Sequence, residues 1–151
     1  MKYYDINPTI KPSFAVFPGD VIFKPSKTLE IKKGSSCNLS SITTTLHVGS
    51  HADAPYHYSS KGKDISSQNI AYYFGNCQVI DMSYTQSNII HPSDLENIEI
   101  KAERILMKTN SWNNHSHWKN RFKTVSPYLI DFLSKKKVIM IGMDTPSIFL
   151  V

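Results

Sequence analysis

Between positions 47 and 57 the chain reads His47-Val48-Gly49-Ser50-His51-Ala52-Asp53-Ala54-Pro55-Tyr56-His57, a window that holds three of its six histidines. Imidazole nitrogen and carboxylate oxygen together suit zinc, and also manganese or iron. His47, His51 and Asp53 make two histidines and one carboxylate. That set leaves a coordination position open for water, as catalytic zinc sites do and structural ones do not. Water in such a position ionises near neutral pH and becomes a nucleophile. His57 follows Asp53 by four residues, and spacing alone leaves it open between a further ligand and a general acid–base group.

The spacing also restricts the backbone. A helix through the window is disfavoured by Gly49 and Pro55. In extended chain, positions 47, 51, 53 and 57 share one parity and point to one face. Full extension would separate the Cα atoms of His47 and His51 by roughly 13 Å, too far for two ligands of one ion. The chain must therefore turn near Gly49-Ser50, where glycine tolerates positive φ. Taken singly, each of these histidines is an ordinary loop residue. Four such groups on one parity in one short window point to function.

The elements around the window read as a mixed α/β fold. Tyr3 to Ile6 predicts a short strand ended by Asn7-Pro8. Residues 12 to 25 hold three prolines and Gly19-Asp20, and predict a turn-rich loop. Asn38 to His47, rich in Ser and Thr, predicts a strand. Cys77 to Met82 and Arg104 to Lys108 predict two more. Ser93-Asp94-Leu95-Glu96 has the form of a helix capping box. Ser126-Pro127 marks a helix start, with Tyr128, Leu129, Phe132 and Leu133 at helical spacing. Val138 to Met143 predicts a buried strand, so the last strand–helix–strand run implies a partly parallel sheet. From Val138 to Val151 the sequence stays apolar almost throughout.

Composition excludes several classes. The 151 residues suit one domain, 1–151, and are 40% hydrophobic and 19% charged, which is neither disordered nor fibrous. The net charge of +5 is concentrated in short runs such as Lys135-Lys136-Lys137. None is interleaved with aromatics, so they read as solvated faces and no nucleic-acid partner is expected. No signal-peptide core and no stretch approaching about 20 apolar residues is present, so no membrane partner is expected. Cys37 and Cys77 form no framework, which fits reduced thiols in the cytoplasm.

The long motif resembles the His-x-Gly-Thr-His-x-Asp-Ala-Pro-x-His signature of the Putative cyclase family, which includes bacterial kynurenine formamidases and isatin hydrolases. Other pieces agree in order: Tyr4-Asp5-Ile6, Phe17-Pro18-Gly19-Asp20, the strand beginning Asn38-Leu39, Val79-Ile80-Asp81, Arg104 to Thr109, and Gly142-Met143-Asp144-Thr145-Pro146-Ser147. The resemblance covers essentially the whole chain and is strongest to the kynurenine formamidases. It implies a swivelling β/α domain with a mixed sheet, in a homodimer or higher homo-oligomer. It implies that His47, His51 and Asp53 bind a divalent metal, zinc first and manganese as a second choice. It assigns His57 as the proton donor and acceptor. Phe17 stands where the family has a substrate-contacting tryptophan, keeping an aromatic face but not the indole donor. Asp20 is expected to line the site.

The implied reaction on a small-molecule substrate is hydrolysis of N-formylkynurenine to kynurenine and formate, a step of tryptophan catabolism. Two other readings stand beside it. One is a related hydrolase of isatin-type cyclic amides. The other is an inactive remnant that at most binds a metal, because family members continue to a histidine and a glutamate of a second metal site. The chain is expected to lack that C-terminal part.

Overall fold

The computed structural model describes residues 2–149. Contacts group the chain into two units. The first runs up to Asp53 and takes in Asn114–Trp118. The second comprises Ala54–Asn113 and the chain from Lys119 onward.

In the first unit, strands β1 (Lys24–Leu29) and β2 (Leu39–Thr43) pair antiparallel. Lys24 lies opposite Thr43, and the register shifts between Lys27 and Leu29. The turn between them closes through Gly34 in the left-handed region, with φ of 88°. Every residue of both strands is exposed. The expected strand at Tyr3–Ile6 does not form. Tyr3, Tyr4 and Ile6 are 72–81% exposed, and this segment enters no ladder. Its apolar and aromatic content suggested a strand, but that content stabilises one only when a neighbour packs against it. The loop expected over 12–25 is turn-rich as far as Phe23, and β1 then starts at Lys24. The strand expected through His47 stops at Thr43.

The core lies in the second unit. Strands β3 (Gln78–Asp81), β5 (Arg104–Lys108) and β7 (Met140–Met143) form a parallel sheet in the order β3-β5-β7. Two short strands, β4 (Ile89–Ile90) and β6 (Thr124–Val125), pair parallel beside it. In register, Ile80 lies opposite Met107, and Met107 opposite Met143. That face carries the core, with Ile80, Ile105 and Met107 buried together with Met82, Ile90, Leu95 and Val125. Helix α1 (Pro127–Lys135) places Leu129 and Leu133, one turn apart, into the same cluster. Ser126 caps it as expected, its hydroxyl accepting from Leu129 N at 3.2 Å, with Pro127 at the first helical position. The expected parallel strand–helix–strand unit is present as β5, α1 and β7.

The capping box read at Ser93–Glu96 is displaced. A single 3-10 turn spans Pro92–Leu95, and it is the Asp94 carboxylate that accepts from His91 N, at 2.7 Å. Pro92 fixes the first position of the turn, which moves the cap two residues before Ser93, to His91. Ile148 O accepts from Val125 N at 2.9 Å, which extends the apolar terminal run along β6; Leu150 and Val151 lie outside the described residues. The fold is mixed α/β, with parallel and antiparallel sheets. Among the described residues no helix is long and apolar enough to cross a membrane.

Candidate metal centre

After β2 the chain leaves the sheet and turns on itself. Gly49 has φ of +63°, the left-handed turn that ligand reach demanded. A Cβ there would also lie 2.7 Å from Ile10 Cδ1, so the position excludes side chains twice over. The turn folds His51 and Asp53 back onto His47. His47 Nδ1 lies 3.0 Å from Asp53 Oδ1 and 3.3 Å from His51 Nε2. His51 Nε2 lies 3.6 Å from Asp53 Oδ1. The two imidazoles meet edge to face, 5.2 Å apart at 77°.

His51 has a defined tautomer. Its Nδ1 is 2.9 Å from the Gly49 carbonyl, which can only accept. Nδ1 therefore carries a proton, and Nε2 is the ring nitrogen turned to His47 and Asp53. This is the arrangement by which a loop carbonyl orients a metal-binding histidine. Around a tetrahedral ion with bonds of about 2.0–2.1 Å, adjacent donor atoms lie about 3.3–3.4 Å apart. The observed edges of 3.0, 3.3 and 3.6 Å bracket that value. Nitrogen, nitrogen and carboxylate oxygen are also the expected chemistry, so the three residues fit a divalent ion. Their side chains are 38%, 25% and 27% exposed, which leaves the group within reach of a small molecule.

Asp20 sits behind this group. Its Oδ2 accepts from the buried Thr45 hydroxyl at 2.6 Å, and Oδ1 accepts from Val21 N at 2.7 Å. Thr45 Oγ1 in turn accepts from His47 N at 3.2 Å. The Thr45 hydroxyl, then the Val21 N–H, hold the Asp20 carboxyl below the usual carboxylate range, with a smaller pull from His47. Asp20 is thus a support of the ligand segment as well as a neighbour of it. Phe17 accepts from Asp20 N through its carbonyl at 2.9 Å. Its ring, 45% exposed, packs edge-on against Trp118.

His57 belongs to the second unit. Pro55 starts a 3-10 turn over Pro55–His57, so the strand parity does not extend to this histidine. The turn is pinned by Tyr56 N donating to Lys63 O at 3.2 Å and by Gly62. A Cβ at Gly62 would fall 2.4 Å from the Pro55 carbonyl carbon. The His57 ring packs edge-on to Tyr58 at 4.5 Å, and Tyr58 packs edge-on to Phe149.

Two residues, Thr45 beside His47 and Trp118 against Phe17, did not stand out in the sequence. Thr45 is one of three consecutive threonines, and only its burial separates it from the others. Trp118 lies in a polar, basic stretch far along the chain, with no spacing that ties it to Phe17.

The Putative cyclase family model matches residues 4–148. The kynurenine formamidase of Erythrobacter litoralis (strain HTCC2594) is 32% identical over 149 residues, covering 97% of this chain and 67% of that protein. Two solved structures share the fold. One is described as a predicted metal-dependent hydrolase from Bacillus stearothermophilus, with a TM-score of 0.76 and 21% identity over 97% of this chain and 70% of its own. The other, described as a potential metal-dependent hydrolase with cyclase activity, has a TM-score of 0.73 and 20% identity over the same shares. With the signature segment folded into a three-donor cluster and the match running from residue 4 to residue 148, this chain belongs to the Putative cyclase family.

Proposed function

We infer that the chain is a metal-dependent amidohydrolase of the kynurenine formamidase type, which hydrolyses N-formylkynurenine to kynurenine and formate. The observation that carries this reading is the convergence of three donor atoms from His47, His51 and Asp53. The 32% identity to a kynurenine formamidase supports the substrate. His47, His51 and Asp53 would hold a divalent ion, zinc first and manganese second, through Nδ1, Nε2 and Oδ1. Such an ion polarises a carbonyl and lowers the pKa of water.

The chain's own residues supply the proton chemistry and the positioning. His57 takes a proton from the attacking water and returns it to the leaving amine. The water oxygen joins the formyl carbon, the carbon–nitrogen bond breaks, and formate and the free amine depart. Asp20, through Thr45, holds the backbone of His47. Phe17 offers an aromatic face to the substrate ring. The exposed, unpaired Cys37 and Cys77 suit a reducing compartment, which supports a cytoplasmic location.

The test is an assay of metal-stripped protein reloaded with zinc or manganese, following release of kynurenine. Turnover that depends on added metal is expected, and His57→Gln is expected to lower kcat by about 100-fold or more while the metal stays bound. No kynurenine release from either loaded form would overturn the assignment.

A further inference from the structure

Residues Asn114–Trp118 belong to the first unit, although the chain on both sides of them belongs to the second. They are held there by specific contacts. The His115 carbonyl accepts from Ala15 N at 2.7 Å. The His115 ring stacks on Phe14, 5.5 Å apart and 8° from parallel. Trp118 meets Phe17 edge to face, 5.4 Å apart at 81°. The segment that receives these rings is itself tied to the metal-ligand loop at both ends. Ile10 fills the space beside Gly49, and Asp20 bonds Thr45. The chain from Ile10 to Asp20 is therefore an arch fixed to the loop that carries His47 and His51, with Phe14 and Phe17 on it.

Phe14 is buried under His115, whereas Phe17 keeps 45% of its surface open. Phe17 and Trp118 thus present two aromatic rings at nearly a right angle, one of them accessible. Such a corner accepts a planar ring by face against one wall and by edge against the other. The Phe17 side chain has no hydrogen-bond donor, so what it adds to the corner is aromatic surface alone.

We propose that Trp118 is a specificity-determining residue which, with Phe17, forms an aromatic slot for the aryl ring of an N-acylated arylamine. The inference rests on the hydrolase reading above. Selection then depends on a residue outside the signature segment, delivered from a distant part of the chain.

The experiment compares zinc-loaded wild type, Trp118→Ala and Trp118→Phe on N-formylkynurenine and on the aliphatic N-formyl-leucine. Trp118→Ala is expected to raise KM for the aryl substrate about tenfold, with kcat within about threefold and metal content unchanged. KM for the aliphatic substrate should not move, and Trp118→Phe should recover most of the loss. An unchanged aryl KM, or equal shifts for both substrates, overturns the proposal and leaves the hydrolase reading standing. A second measurement holds even where Trp118→Ala does not fold or wild type turns over neither formamide. In Trp112→Phe, Trp118 is the sole indole, and kynurenine is expected to quench its emission saturably. Absence of quenching overturns the slot; quenching without turnover supports the slot and sinks the hydrolase reading instead.

Discussion

His51 gives one ring nitrogen to the Gly49 carbonyl and so has only the other to offer a metal. That hydrogen bond orients the ring as an outer partner orients a metal-bound histidine, which supports the proposed function. The Asp20–Thr45 bond does the same for the His47 backbone. Thr45→Val keeps the shape but removes the hydroxyl, and is expected to weaken zinc affinity about tenfold in a competition titration with a chelator. The types and spacing of His47, His51 and Asp53 were legible in the sequence because ligand reach forces the turn between them. Thr45 was not, because Thr43, Thr44 and Thr45 differ only in where the backbone aims them. A separate residue-scale prediction concerns Asp81. Hydrogen bonds from the Ser83 side chain and backbone, then from Lys108, lower its pKa to about 2. A depressed folded value stabilises the fold above the unfolded value of about 4, and that contribution is lost as pH falls from about 4 to about 2. The difference in thermal midpoint between wild type and Asp81→Asn is expected to shrink across that window.

The turn at Gly49 is the element on which the site depends. An L residue at φ of +63° is strained, and a Cβ would meet Ile10. Gly49→Ala is expected to cost about 1–3 kcal/mol in urea unfolding and to weaken metal binding. Adding Ile10→Ala should relieve the steric part and leave the backbone part. Elements stabilised by local signals were readable: α1 from Ser126-Pro127 and its apolar spacing, β5 and β7 from short apolar runs. The β1–β2 hairpin was half missed, because Pro25 and two lysines, Lys24 and Lys27, hide β1 in a stretch that reads as loop. Tyr3–Ile6 failed in the opposite direction, since its strand content meets no partner strand. The parity that joined His57 to the ligands ended at Pro55, which starts a turn instead of continuing the strand.

At the scale of the molecule, the core and the three candidate metal donors lie in different units. Ile80, Ile105, Met107, Leu129 and Leu133 pack in the second, while His47, His51 and Asp53 lie in the first. His57 is on the second as well, so the proposed function predicts that metal binding and proton transfer are separable by mutation. The family match runs across both units, over residues 4–148. Metal content by mass spectrometry, on protein stripped with chelator and re-equilibrated with zinc, tests the central claim directly. About one zinc per chain is expected in wild type and in His57→Gln, and close to none in the double variant His51→Ala, Asp53→Ala. Wild type without zinc, or a double variant that retains it, would contradict the account.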